Sequence, residues 1–393
     1  MTLERMRFGI FMAPFHHLGD NPTLALRRDI ELIEWLDYLG YDEAWVGEHH
    51  SGGWEIIASP ELIIAAAAER TKQIRLGTGV TSLPYHHPLL VADRMVQLDH
   101  MTRGRVMLGV GPGALTSDAY MMGIEATTQR PRMDEALGAI VALLKGGAPV
   151  TIKTDWFELR EARLQLLPYQ KPCFPIAVAS TVSPAGMIAA GKHGVGVLSI
   201  GAQMPGGAEG LKQHWALAQD AASAAGNIMQ REDWRLLKSF HIAETRDQAY
   251  RDVEAGERRE TLGYFRGTLG QPPGPESLDE LIKAGGAIVG TPEDAIEAIE
   301  QLQQRSGGFG AFLGRAHEWA SREATMRSFE LFARYVMPRF QNVLPAVEGS
   351  NHWVAENRRT IFSPSQAAIV KAFSDAGKEL PEELRSRMLR TRP

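Results

Sequence analysis

The chain has 393 residues, 44% of them hydrophobic and 23% charged, with a net charge of −5 at pH 7, an ordinary globular composition. It holds no polybasic block that would mark a nucleic-acid partner, and no apolar run reaches the ~18 residues of a membrane span, so neither nucleic acid nor membrane enters the expectation. One cysteine, Cys173, excludes an internal disulfide and a cysteine-based metal cluster; with the start MTLERMRFGIF, which has no apolar signal segment, it points to the cytoplasm.

The elements follow one rhythm. Phe8 to Met12 reads as a strand, and Thr23 to Leu39 as a helix whose Leu24, Ile30, Ile33, Leu36 and Leu39 recur at helical spacing. Gly40 stands where the chain must turn left-handed after a helix, and Glu43 to Gly47 is the next strand. Ser59, as N-cap before Pro60, opens a helix through IIAAAAER, which leads to a strand at Ile74 to Val80. A third helix, Pro88 to Met101, ends at Gly104 before a strand at Arg105 to Gly111. Further strands are predicted at Pro175 to Ser180, Val195 to Ile200, Leu236 to Ala243 and Gly310 to Leu313.

Strands separated by helices predict an α/β fold with a parallel sheet, and their number suits a (β/α)8 TIM barrel; an open doubly wound sheet is the alternative. Residues 1–340 form the barrel domain in this reading, with two insertions. Residues 149–168 alternate as an antiparallel hairpin does, and residues 254–286, charged and then rich in Pro and Gly, read as a mobile loop. Residues 341–393 are a C-terminal helical extension, with an amphipathic helix around Pro364 to Ala376, expected to wrap the barrel or a neighbouring subunit.

Glu48-His49-His50 follows the second strand, at the barrel end where active sites lie. Adjacent residues on a strand face opposite ways, so His49 and His50 share a ligand only if the strand has ended before them. The pairs His16-His17 and His86-His87 fall at the same end, which raises a metal site with Glu48, His50 and His17 as ligands. The chain lacks a His-x-His strand or His-x3-His helix spacing, and the expectation is therefore no metal. Gly109 to Gly113 lacks the spacing of a nucleotide loop. Ala179 to Pro184 suits phosphate better, because hydroxyls and free amides meet at a helix start, although Ser183 also reads as a plain N-cap. Arg130 and Arg132 are candidate cations for that phosphate, or a solvated pair.

The runs FGIFM, AWVGEHH and ASPELIIAAAAERTKQIRLGTGVTSLPYHHPLLVADRMVQLDHMTRGRVMLGVGPG, followed by EARLQLLP, VASTVSP and ELFARYVMPRF, resemble the bacterial luciferase-like flavin-dependent monooxygenases over residues 6 to 340, and within them the limonene monooxygenase-like group. The resemblance implies a barrel that takes reduced FMN from a separate NAD(P)H:flavin reductase, activates O2 on it and oxygenates a small apolar substrate. It implies His49 as the catalytic histidine with Glu48 and His50 beside it, and Thr78, Gly79 and Val80 against the flavin ring, with a cis Gly79–Val80 peptide. Arg132, Ser180, Thr181 and Ser183 would hold the FMN phosphate.

Where the luciferases have an arginine after the fourth strand and an acidic residue before the phosphate serine, this chain has Gly111-Pro112-Gly113 and Ala179, so its phosphate contacts differ from theirs. Phe11, Met12, Phe15, Trp54, Met121 and Met122 are candidates for a dry substrate pocket. A monoterpene alkene, epoxidised, is the expected substrate; ketone insertion of the Baeyer–Villiger type and deazaflavin-dependent hydride transfer are the alternatives. A homodimer or higher homo-oligomer is expected.

Overall fold

The computed structural model describes residues 5–12, 15–181, 183–204 and 206–390. In chain order the elements are β1 (Arg7–Met12), α1 (Pro22–Leu39), β2 (Glu43–Val46), α2 (Pro60–Ala68), β3 (Arg75–Thr78), β4 (Thr81–Ser82), α3 (Pro88–Met101), β5 (Val106–Gly111), α4 (Thr116–Met121), α5 (Gln129–Lys145), β6 (Val150–Lys153), β7 (Glu158–Ala162) and β8 (Ile176–Ser180). There follow α6 (Ala185–His193), β9 (Gly196–Ser199), α7 (Leu211–Ala225), β10 (Trp234–Ile242), α8 (Arg246–Glu260), α9 (Leu278–Lys283), β11 (Ala287–Gly290), α10 (Pro292–Ser306), β12 (Ala311–Arg315), α11 (Arg322–Leu331) and α12 (Met337–Phe340). Residues up to Gln341 form one compact unit. A second begins at Asn342 and contains α13 (Pro345–Glu356), α14 (Arg358–Asp375) and α15 (Glu382–Arg390).

Strands β1, β2, β3, β5, β8, β9, β10 and β12 pair in that order, all parallel, and β10 meets both β9 and β12. The ring is therefore a closed eight-stranded barrel rather than an open sheet. Strand alternation sorts its side chains. Phe8, Ile10 and Met12 of β1 join the core under the helices, while Phe11 joins Trp45, Met107, Ala177, Leu198, Leu237 and Leu313 inside the barrel.

At the interior's N-terminal end lies a buried charge cluster. Glu43, fully buried, accepts hydrogen bonds from Arg235 Nε at 2.7 Å, Arg7 Nε at 2.8 Å and Trp45 Nε1 at 2.9 Å. Burial alone would raise its proton affinity, but the two guanidinium groups and the Trp45 hydrogen bond outweigh that and hold its pKa down to about 2. Trp45 fills the interior above this cluster, and its neighbours have no room for a side chain: a Cβ at Gly77 would sit 2.6 Å from the indole, and one at Gly109 would sit 2.1 Å from Thr78 O.

Several sequence expectations need correction. β3 stops at Thr78 and pairing resumes as β4 against β5, so the strand expected at 74–80 is broken, whereas the Gly79–Val80 peptide is cis as expected. Ser59 precedes α2 without capping it, because its hydroxyl donates to Glu61 instead. The stretch 254–286 is largely helical: α8 continues into a π-helical turn at Thr261–Thr268, and α9 is capped by Ser277, leaving extended chain only around the prolines. β11, which pairs with the far end of the long β10, was not expected at all. The hairpin at 149–168 is present as β6 and β7.

Removing one member of a buried ion pair strands the other charge, a cost of about 3–5 kcal/mol. Glu43→Gln is therefore expected to lower unfolding free energy by an amount in that range in urea denaturation, and an unchanged midpoint would contradict the role given to this cluster.

Candidate active site

β2 ends at Val46, so Glu48, His49 and His50 lie on the connection beyond it, free of strand alternation. The two histidines diverge. His49 Nε2 stands 3.1 Å from Glu55 Oε1 and its Nδ1 3.4 Å from Asp118 Oδ2, whereas His50 Nε2 stands 2.8 Å from Glu48 Oε1. Glu48 is shared: His86 Nε2 lies 2.6 Å from the same oxygen, and the Ser82 amide donates to the other. Asp118 also accepts from the His50 amide and the Ser51 hydroxyl, while Tyr264 OH donates to Glu55 at 2.6 Å.

Charge follows from this geometry. Burial by itself disfavours an imidazolium at His49, but the flanking Asp118 and Glu55 carboxylates overcome it and push its pKa up to about 9. Burial likewise opposes ionisation of Glu48, and the hydrogen bonds from His50 and His86 outweigh it, so its pKa is lowered. At neutral pH the site thus presents a protonated His49 between two carboxylates.

Linked to His49 through the Tyr264–Glu55 hydrogen bond, Phe15, Trp54, Leu115 and Tyr264 form a buried apolar cluster joined by Phe265 and Leu269. The π-helical turn after α8 packs directly on it: a Cβ at Gly263 would lie 2.7 Å from the Trp54 ring. This turn supplies Tyr264, so the second insertion contributes to the site. Phe11 faces the barrel interior, as the pocket expectation requires, and Trp54 belongs to the cluster. Met12 does not line the mouth, because alternation sends it to the outer core. Met121 and Met122 are also displaced from a pocket role; they are 59% and 39% exposed at the end of α4.

The expected cofactor residues separate into groups. Thr78 is fully buried and spends its hydroxyl on Gly109, donating to the carbonyl at 2.7 Å and accepting from the amide at 3.0 Å, which ties β3 to β5 just before Gly79. A Cβ at Gly79 would lie 2.8 Å from Trp45 Cβ, and Val80 packs on the interior cluster. Just beyond them the Thr81 hydroxyl is buried with no hydrogen-bond partner among the described residues.

Ser180 is buried at the end of β8, with Thr181 exposed and Ser183 half-buried before α6. No side chain caps α6, so the N-cap reading of Ser183 does not hold, and Gly186 lets its first turn sit against Ser180. Arg132 stacks on Trp156 of the hairpin at 5.5 Å, and Arg130 is exposed. The metal triplet does not assemble: His17 contacts Arg259 while His50 and His86 engage Glu48, and among the described residues no three such groups surround a common point. His16 is a buried structural residue between Asp29 and Glu318.

Sequence reasoning missed Glu55, Asp118, Tyr85, Tyr264 and Arg315. Gly113, at φ 90°, owes its identity to Tyr85, whose hydroxyl a Cβ there would approach to 2.2 Å. Glycine in this loop thus makes room for Tyr85, with Gln129 donating to the Tyr85 hydroxyl at 3.2 Å.

The family model of luciferase-like monooxygenase matches residues 6–308. The 4-hydroxyprotoasukamycin monooxygenase of Streptomyces nodosus subsp. asukaensis is 50% identical over 365 residues, 91% of this chain and 98% of that one. Limonene 1,2-monooxygenase of Rhodococcus erythropolis is 47% identical over 376 residues, 94% of this chain and 96% of that one. Among solved structures, the oxygenating constituent of 3,6-diketocamphane monooxygenase from Pseudomonas putida, a type II Baeyer–Villiger monooxygenase in complex with FMN, matches with a TM-score of 0.73 and 27% identity over 86% of this chain and 99% of that one.

A histidine held at about 9 in the folded state and ~6.5 when unfolded stabilises the fold fully below the lower value, and that contribution is lost as pH rises through the higher one. His16 behaves in the same way in the same window. His49→Gln is accordingly expected to shrink, without abolishing, the stability lost between about pH 6.5 and about pH 9, as measured by urea denaturation across that range. A loss as large as that of the unaltered chain would mean that His49 is not protonated in the folded protein.

Proposed function

We infer the activity from one premise, that the chain belongs to the luciferase-like monooxygenase family, and we propose that it is the oxygenase component of a two-component system. It takes reduced FMN from a separate NAD(P)H:flavin reductase and, with O2, oxygenates a small, mostly apolar substrate, in the first place by epoxidising an alkene of monoterpene size. The observation that carries this reading is the His49 imidazole, set between Glu55 and Asp118 and linked through Glu55 to Tyr264 of the Phe15 and Trp54 cluster, at the C-terminal face of the barrel.

The residues fit a flavin mononucleotide. The unpartnered Thr81 hydroxyl beside Val80 suits the polar edge of a flavin ring. The uncapped first turn of α6 suits a phosphate, with Ser180, Thr181 and Ser183 as hydroxyl donors. Arg132, stacked on Trp156, would add a cation to that set. Reduced flavin, when bound, supplies the electrons that activate dioxygen, a step that side chains cannot perform.

The remaining work falls to this chain. His49 holds protons on both ring nitrogens, and its positive charge favours anionic character developing beside it. Glu55 and Asp118 keep that imidazole oriented, as second partners do for a catalytic histidine. The aromatic cluster would keep water from the reacting groups, which suppresses side reactions. Ketone insertion is the second reading, favoured by the likeness to the diketocamphane enzyme structure.

The test is product analysis with a flavin reductase, FMN, NADH and O2 over limonene, camphor-like ketones, long-chain aldehydes and alkanesulfonates. An epoxide from limonene or a relative is the expected result, and lactone formation would move the reaction to the second reading. Exclusive turnover of the charged sulfonates would defeat both.

A further inference from the structure

The guanidinium of Arg315 stands at the barrel mouth with one arm uncommitted. β12 directs Leu313 into the interior beside Phe11 and Leu237, and two residues later Arg315 lies in register with Phe11 at the strand's C-terminal end. It is only 7% exposed. Its Nε donates to Ser239 Oγ at 2.9 Å and its Nη2 to Glu260 Oε1 at 2.6 Å, while Nη1 is buried with no hydrogen-bond partner among the described residues. Buried donors left unpaired are rare in folded proteins, and such a group at a ligand-binding face calls for an acceptor brought from outside.

Two facts say what that acceptor is. Glu260 already balances the charge of Arg315, and the neighbouring Arg28 is engaged by Asp20 and Glu318, so the spare N–H offers a hydrogen bond rather than an uncompensated charge. Arg315 and His49 also flank one aromatic cluster: the guanidinium lies 5.0 Å from the Phe15 ring centre, Phe15 lies 4.7 Å from Tyr264, and Tyr264 donates to the Glu55 that pairs with His49. On the Arg315 side a cavity of about 280 Å³ opens, lined also by His17, His241, Arg259 and His317.

We propose that Arg315 selects the substrate, its Nη1 donating to a neutral oxygen, carbonyl or hydroxyl, carried by an otherwise apolar molecule. This rests on the oxygenase reading above and narrows it: a pure hydrocarbon leaves the buried donor unpaired and binds less well than its oxygen-bearing counterpart. Sites built to hydrogen-bond an oxygen discriminate strongly against analogues that lack it.

The experiment compares dissociation constants of limonene, carveol and carvone, one carbon skeleton with no oxygen, a hydroxyl or a carbonyl, by quenching of tryptophan fluorescence in the full chain. At least a ~10-fold tighter binding of carveol or carvone is expected, since a lost hydrogen bond to a charged donor is worth that or more. Arg315→Lys keeps a cation for Glu260 but lacks the spare arm, and it is expected to erase the preference while FMN affinity stays unchanged. If Arg315→Lys fails to fold, the Arg315→Met/Glu260→Gln pair, which removes both charges together, decides in its place.

Equal binding of the three compounds by the unaltered chain overturns the proposal. So does a preference that survives the substitution, or a loss of FMN affinity in its place. Binding needs no turnover, so Arg315-dependent binding without any oxygenated product would sink the oxygenase reading and leave this one standing.

Discussion

Glu43 is a carboxylate with no access to water, and the barrel is arranged around the need to satisfy it. Its partners come from three strands, Arg7 from β1, Trp45 from β2 and Arg235 from β10. Meeting that requirement fixes the indole of Trp45 in the centre of the interior; the indole forbids a side chain at Gly77 and leaves little space at Gly109, while the Cβ and backbone of Trp45 crowd Gly79. These are the residues that end β3 and run beside it in β5. A constraint at the N-terminal end of the barrel thereby shapes the backbone at the opposite end, where the cis peptide, Val80 and the unpartnered Thr81 hydroxyl lie.

The polar groups at that face are organised by sharing. Glu48 serves His50, His86 and the Ser82 amide, which ties the connections after β2 and β4 together and leaves His49 to separate partners. Of those partners, Glu55 comes from the same connection and Asp118 from α4, and the Glu55 carboxylate is completed by Tyr264 from the second insertion. The raised pKa of His49 thus depends on carboxylates from two segments, one of them held by a third. The cavity beside Arg315 is lined by His17, His241 and His317 but not by His49, so the two are separate places at this face.

Much of the fold was legible because it depends on local chemistry. Gly40 takes the left-handed turn its place after a helix demands, at φ 83°, and β1 alternates between the outer core and the interior. Failures arose where tertiary contacts overrode local pattern. The charged, glycine-containing stretch after Glu254 reads as a loop, yet Gly256 and Gly263 are there because Trp319 and Trp54 press against them, and helix is the result. Of the site, the Glu48-His49-His50 cluster was visible through its position after a strand. Asp118, Glu55 and Arg315 were not, since an acid on a short helix and an arginine at a strand end announce nothing until folding brings them to a histidine or leaves them unpaired. Met12 was misplaced for a simpler reason, a failure to apply the alternation that had placed Phe11.

The protonation state of His49 is what the reading of this site depends on most directly, and it can be observed by ¹⁵N NMR of histidine-labelled protein, with His49→Gln identifying the signal. An imidazolium protonated on both nitrogens at neutral pH and titrating near about 9 is the expected result. A neutral imidazole at neutral pH, titrating at or below the ordinary value of ~6.5, would contradict it.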